Sequence, residues 1–186
     1  DGAIGSTETT GPNSELCPSL SWDGSTYAVS GNKAYGSATL GSELVSNAGL
    51  ESWTSSTDAD SWGEVLGGTS TINRDNTNVH GGSYAARADI DASNNHGAIR
   101  QVIYTNVNDW YFMSGWYRSS NDGLSMLIQA NSAVDWWYAQ VLTTTYANYF
   151  LAYRSSNTNG FIQLHKNSAG GGSLYDEDIS GKPITL

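Results

Sequence analysis

The 186-residue chain has one cysteine, three prolines, two methionines and only 8 lysines and arginines. A lone Cys17 permits no intrachain disulfide and no thiolate zinc cluster, so folding does not depend on an oxidising compartment. The few cations face 18 acids, for a formal charge of −10. A surface that acidic offers nucleic acid no electrostatic footprint and is repelled by anionic lipid headgroups. No apolar run approaches the roughly 20 residues that span a bilayer. Charged residues make up 14% of the chain, too few for long salt-bridged helices or coiled coils. His80, His96 and His165 stand alone, without paired metal-ligand spacing or a GxSxG elbow. His80, before Gly81-Gly82, reads as a turn residue. Eighteen acids make some carboxylate pair inevitable, so their number does not argue for glycoside hydrolysis. The chain is expected not to be an enzyme.

What is present is glycine (21), tryptophan (7) and tyrosine (11). Aromatics at that frequency argue against wholesale disorder. Residues 1–15 are small and polar and read as a flexible linker. Residues 16–40 carry Asp23-Gly24 between two β-type stretches, a hairpin signal. They are expected to form an N-terminal hairpin or the tail of a preceding domain. The chain opens on Asp1 without a leader, which suggests a piece of a longer protein. Residues 41–186 form the main domain.

Within that domain the pattern is β. In Ser83 to Ala92, Tyr84, Ala86, Ala88 and Ile90 alternate with Arg87, Asp89 and Asp91, the period of a half-buried strand. Trp110 to Arg118 is aromatic on both faces, as in a central strand. Leu124 to Ala130, Trp136 to Leu142, Tyr149 to Arg154 and Phe161 to Lys166 follow between polar turns, and YDEDISGKPITL reads as the closing strand. Short strands at this spacing give an all-β antiparallel sandwich. Tyr84, Ala86, Ile90, Phe112 or Met113, Trp116, Leu127 or Ile128, Leu151 and Ile179 are its expected core. Trp53 and Trp62 are expected to pack at the base of the first loop, and Trp110 is core or rim.

Sugars present an apolar C–H face and a rim of hydroxyls, which suits aromatic rings amid amides and guanidinium groups. AVDWWYAQ is the best such stretch. On a strand Trp136 and Tyr138 share one face and Trp137 takes the other, so one tryptophan lies away from the core, where exposed aromatics mark a binding surface. The expected carbohydrate platform is Trp136, Trp137, Tyr138, Tyr146 and Tyr149, with Gln129, Gln140 and Arg154 as polar partners.

The order ELVSNAGLESW, DADSW, HGGSYAARADI, WYFMSGWYR, YDEDISGKPITL resembles the jelly-roll carbohydrate-binding modules with galactose-binding-like folds. The likeness is to the kind found in bacteriophage and environmental viral proteins, and it covers about residues 40 to 186. Ala48 and Leu50 depart from the Gly and Phe of that family's opening motif. Glu177-Asp178 replaces the Asp-Asp of its closing motif. The resemblance implies a lectin-like, non-catalytic module binding a poly- or oligosaccharide. It would attach a larger enzyme or viral protein to glycans, outside the cell or on a virion surface. The alternative is a structural or adhesion domain of a virus particle, in a tail fibre, baseplate or capsid decoration. The resemblance also implies a structural Ca2+ ion between the first and last strands. Its expected ligands are Glu51, Glu177 and the Gly81 to Ser83 turn, with Asn47 or Asp178 in reserve.

Overall fold

The computed structural model describes residues 4–6, 19–22, 27–30, 38–92, 97–122, 125–130, 136–156, 158–166 and 171–185; of these, 4–6, 19–22, 27, 29–30, 125–130, 136–140 and 159–166 are described by backbone alone. In chain order the strands are β1 (Ile4–Ser6), β2 (Ser19–Trp22), β3 (Tyr27–Ser30), β4 (Thr39–Leu40), β5 (Trp53–Ser55), β6 (Asp58–Ala59), β7 (Gly63–Leu66) and β8 (Thr71–Asp75). They continue as β9 (Ala85–Ile90), β10 (Gly97–Tyr104), β11 (Trp110–Ser119), β12 (Ser125–Ala130), β13 (Trp136–Val141), β14 (Ala147–Arg154), β15 (Asn159–Lys166) and β16 (Gly172–Thr185). The described residues include no helix, and so none long and apolar enough to cross a membrane.

Two sheets make the sandwich. A seven-stranded sheet runs β1-β14-β11-β16-β9-β8, with β4 also on β16, and a five-stranded sheet runs β13-β12-β15-β10-β7. Pairing is antiparallel except for β1 against β14. The expected hairpin is present as β2 against β3, where Trp22 pairs with Tyr27; Asp23 and Gly24 themselves lie outside the described residues. The opening motif forms no strand over 43–48. It lies instead along the second half of β16, held by Leu44 N–H on Gly181 C=O (2.8 Å) and Ile179 N–H on Ala48 C=O (2.8 Å).

The alternation read from the sequence sets the core. Ala86, Ala88 and Ile90 of β9 meet Met113, Tyr117, Tyr149, Leu151, Tyr153, Leu174 and Ile179 of the same sheet, and Ile99 and Ile103 of the other. Trp62 belongs to this core and Trp53 packs against it. β11 is aromatic on both faces because both faces are covered. Trp110 and Phe112 join Phe150, Ala152 and Ile184 in a second cluster on the outer side, under Ala38 and Leu40. Two expected core residues are placed otherwise. Alternation from Tyr117 turns Trp116 to the outer face, off both clusters and half-buried. Tyr84 stands before β9, half-buried, with Arg74 over its ring at 4.5 Å. The side chains of Leu127 and Ile128 lie outside the described residues.

Candidate functional site

On the five-stranded sheet, the described side chains of β10 separate two faces. Ile99, Gln101 and Ile103 are buried, whereas Arg100, Val102 and Tyr104 are exposed, the last two to 57% and 82%. The ladder carries Arg100 across the sheet. It pairs with Gly63 on β7 and Gln163 on β15; Gln163 pairs with Gln129 on β12, and Gln129 with Trp137 on β13. Directly paired residues of antiparallel strands share a face. Val141, 60% exposed, lies four residues along β13 from Trp137, two full periods of a strand. Trp136 and Tyr138 fall in other rows, reached through Ala130 and Ile162 from Gln101 and through Ile128 and Leu164 from Ile99. Gln140 pairs with Met126. The side chains of Gln129, Trp136, Trp137, Tyr138 and Gln140 lie outside the described residues, as does that of His165.

The structure does not bring Tyr146, Tyr149 and Arg154 to this face. All three belong to the chain from β14's lead-in onward, which has crossed to the seven-stranded sheet. Tyr149 is corrected from platform to core: it is 2% exposed and its ring is 5.9 Å from that of Tyr117. Arg154 is corrected to a loop support, its Nε donating to Asn108 C=O at 3.0 Å. Tyr146 donates its hydroxyl to Asn78 C=O at 2.8 Å, beside Arg118 and His80. Burial, and next the charge of Glu177, push its phenol pKa up.

Sequence reasoning missed Arg100, Val102 and Tyr104. GAIRQVIY gives no clean signal for them, because Gln101 is buried and Val102 exposed, against the polar-out alternation of a half-buried strand.

The acids expected to hold calcium do gather at one turn. Glu51 Oε1 accepts the N–H groups of Ser83 (2.9 Å) and Tyr84 (3.2 Å). Glu177, fully buried, accepts those of His80 and Gly81. Asp178 Oδ2 lies 3.2 Å from His80 Nδ1. Gly82, at φ 64, allows this approach: a Cβ there would stand 2.0 Å from Glu51 Oε1. The turn thus presents N–H groups to the carboxylates, where carbonyl ligands were expected. Burial pushes the Glu177 carboxyl up, and the His80 and Gly81 N–H bonds oppose that. Asn47 is corrected from reserve ligand to loop clamp, its Nδ2 donating to Ser52 C=O (2.8 Å) and Asp60 C=O (2.9 Å) and its Oδ1 accepting from Ser52 N–H (3.0 Å). Among the described residues no three His, Cys, Asp or Glu side chains form a group able to hold a metal ion. The donor set itself, three carboxylates and no thiolate, is of the hard oxygen type that calcium takes. Asp176, next in the chain, is buried with an unpartnered Oδ1, and burial pushes its carboxyl up to about 8.

No protein-family model and no curated protein matches the chain. Solved structures do. A family 61 carbohydrate-binding module in complex with β-1,4-galactotriose matches at 13% identity and TM-score 0.57, covering 76% of this chain and 98% of that one. The first xylan-binding domain, of family 22, from the Paenibacillus barcinonensis xylanase Xyn10C matches at 12% identity and TM-score 0.57, covering 78% and 97%. The fold is that of a carbohydrate-binding jelly roll. The enzymatically active domain of tailspike protein 4 of bacteriophage CBA120 also contains such a jelly roll, at 14% identity and TM-score 0.55, with 76% of this chain matched to 21% of that one. At these identities the likeness is one of fold.

Proposed function

We propose that the chain is a non-catalytic carbohydrate-binding module that attaches a larger, extracellular polypeptide to an oligo- or polysaccharide. In this reading the outer face of the five-stranded sheet is its sugar-binding surface. The observation that carries the reading is the row Arg100, Gln163, Gln129, Trp137, beside the exposed Val102, Tyr104 and Val141. An aromatic platform for the C–H face of a sugar and a strip of amide and guanidinium donors for its hydroxyls then lie on one open surface. The neighbouring rows pair Val102 with Phe161 and Tyr104 with Asn159, and run from Val65 through Ala98, His165 and Leu127 to Ala139. None of these rows contains the two carboxylates that glycoside hydrolysis needs, which supports binding without cleavage. In this reading Trp137, in the row of Arg100, is the stacking residue, while Trp136 and Tyr138 fall in the rows of Gln101 and Ile99.

A glycan array followed by calorimetry on the sugar that binds tests it. Trp137→Ala is expected to weaken binding at least about tenfold, the loss of one stacked ring, and to leave the unfolding midpoint within a few degrees. A core ring such as Tyr117 would instead cost about 3–5 kcal/mol on truncation. If Trp137→Ala unfolds the chain or leaves binding intact, the platform is elsewhere. The second reading, a virus-particle domain, is favoured by the jelly roll within the tailspike domain. It requires a glycan-silent chain that assembles into a symmetric oligomer.

Calcium is part of the same proposal. Glu51, Glu177 and Asp178 crowd the 80–84 turn, with the His80 imidazole beside Asp178, and like charges so placed repel unless a cation joins them. Glu51 and Asp178, through the oxygens turned away from the N–H donors, are the groups that would hold it. A bound ion stabilises the folded state by mass action. The unfolding midpoint is expected to rise by several degrees in millimolar CaCl2 and to fall in EDTA. Equal midpoints in the two buffers would retire the ion.

A further inference from the structure

The opposite side of the sandwich, the outer face of the seven-stranded sheet, carries a groove of about 310 Å³. Trp116 lines it together with Ser114 and Asn148, each 2% exposed, and with Asp178, Ser180 and Lys182. The register brings these together: Trp116 pairs with Asn148 on β14, and Ser114 with Ser180 on β16. Trp116 also pairs with Glu177 on β16, and one extra β16 residue between that pairing and Ser114–Ser180 makes a bulge, where Asp178 has φ 49.

Trp116 is held in place from behind. The ring of His80 stacks on it, with centroids 3.8 Å apart and planes 15° from parallel. His80 is in turn fixed by its N–H on Glu177 and by its Nδ1 at Asp178. A ring oriented in advance loses little freedom when a ligand stacks on it. The groove therefore combines a fixed half-buried indole with an amide, two hydroxyls, the carboxylates of Asp178 and Glu43 and the Lys182 ammonium, Ser180 Oγ donating to Glu43 at 2.6 Å; this is the mixture of apolar surface and few convergent polar groups that makes a ligand cleft. Trp116 belongs to neither apolar cluster.

We propose that this groove is a second carbohydrate site, independent of the five-stranded face, that takes a neutral pyranose unit. The proposal rests on the carbohydrate-binding reading above. The groove is at the small end of ligand clefts, which suits a chain end or a branch sugar better than a polysaccharide laid along it. Glu43 also lines the groove and stands 4.0 Å from Lys182, so these two charges offset each other and leave the described lining no free cation for an acidic sugar.

The test follows the indole N–H resonances of the whole chain in calcium-containing buffer. It titrates β-1,4-galactotriose, xylohexaose, cellohexaose and mannohexaose into wild type, Trp137→Ala, Trp116→Phe and Ser180→Trp. The expected result is that at least one of these sugars shifts the Trp116 resonance in wild type and equally in Trp137→Ala. Calorimetry in a Trp137→Ala background, used because Phe removes the indole reporter, should find the same sugar bound to this site about tenfold more weakly in Trp116→Phe, which keeps a ring on His80. Ser180→Trp, which fills the groove, should abolish the shift. Should Ser180→Trp fail to fold, Trp116→Phe carries the decision. Silence of Trp116 toward all four sugars overturns the second site, and a response of Trp137 alone leaves the sheet-face reading standing. A Trp116 shift that vanishes in Trp137→Ala also overturns independence. A Trp116 response without one from Trp137 supports the groove and counts against the sheet face.

Discussion

Asp75 ends β8 and decides how the chain turns toward His80. Its Oδ1 accepts the N–H groups of Thr77 (2.8 Å) and Asn78 (2.6 Å), and its Oδ2 meets Arg87 Nη1 at 2.9 Å. Burial pushes this carboxyl up, but those donors outweigh it, and the net pKa lies below the ordinary 3.8. A depressed carboxyl contributes stability that is present above its unfolded pKa and is lost as pH falls through the folded one. Asp75→Asn keeps the shape and removes the charge. It is expected to cost about 2 kcal/mol at pH 7, the worth of charged hydrogen bonds to a buried group. The gap from wild type should hold from pH 7 down to about 4 and narrow as pH is lowered further toward about 2, because protonated Asp75 then resembles asparagine. Unfolding midpoints of both proteins across that range check it, and a gap that holds constant would mean the charge is not what stabilises the turn.

At the scale of the strand, β11 shows why one position must be glycine. The ring of Tyr117, fully buried, folds back along its own strand over Gly115. A Cβ on Gly115 would stand 2.0 Å from the Tyr117 hydroxyl oxygen and 2.4 Å from its Cζ. Glycine in a strand interior commonly marks such a close approach. Gly115→Ala therefore has to push the ring out of a packed core, and is expected to destabilise by about 1–3 kcal/mol. A denaturant titration with unchanged slope and a lower midpoint is the expected observation. No change in midpoint would mean the ring has another resting place. The neighbouring strands tell how far the sequence could be read. The alternation of 84–90 and the two-sided aromatic run of 110–118 were legible, since period two fixes which residues share a face. Partnership was not legible. Tyr146 and Tyr149 follow Trp136 to Tyr138 so closely in sequence that they read as one surface, yet the chain changes sheets between them. No local pattern encodes that crossing. Trp116 read as core from the resembling family, whose matching strand buries its Trp, and it took the register to turn it outward.

At the scale of the whole molecule, the two sheets expose different chemistry to solvent. β10 of the five-stranded sheet exposes Arg100, Val102 and Tyr104, while the seven-stranded face alternates a covered aromatic cluster with the Trp116 groove. The fold class and the gathering of Glu51 with Glu177 and Asp178 at the 80–84 turn were legible from motif order. The outward residues of β10 were not, because a strand that mixes Arg, Val and Tyr on one face imitates no simple polar side. One feature of the topology also governs how the molecule comes into being. β16, the last strand in the chain, is an interior strand of its sheet, paired with β11 on one side and with β9 and β4 on the other. Strands made earlier cannot close around a neighbour that does not yet exist. The seven-stranded sheet is therefore completed only after β16 has left the ribosome. Its pairings join residues far apart in sequence, which puts the chain among slow folders, on the order of milliseconds to seconds. Until that moment the aromatic faces of β11 and β14 have no lasting cover, and the waiting chain is in the state most in need of a chaperone.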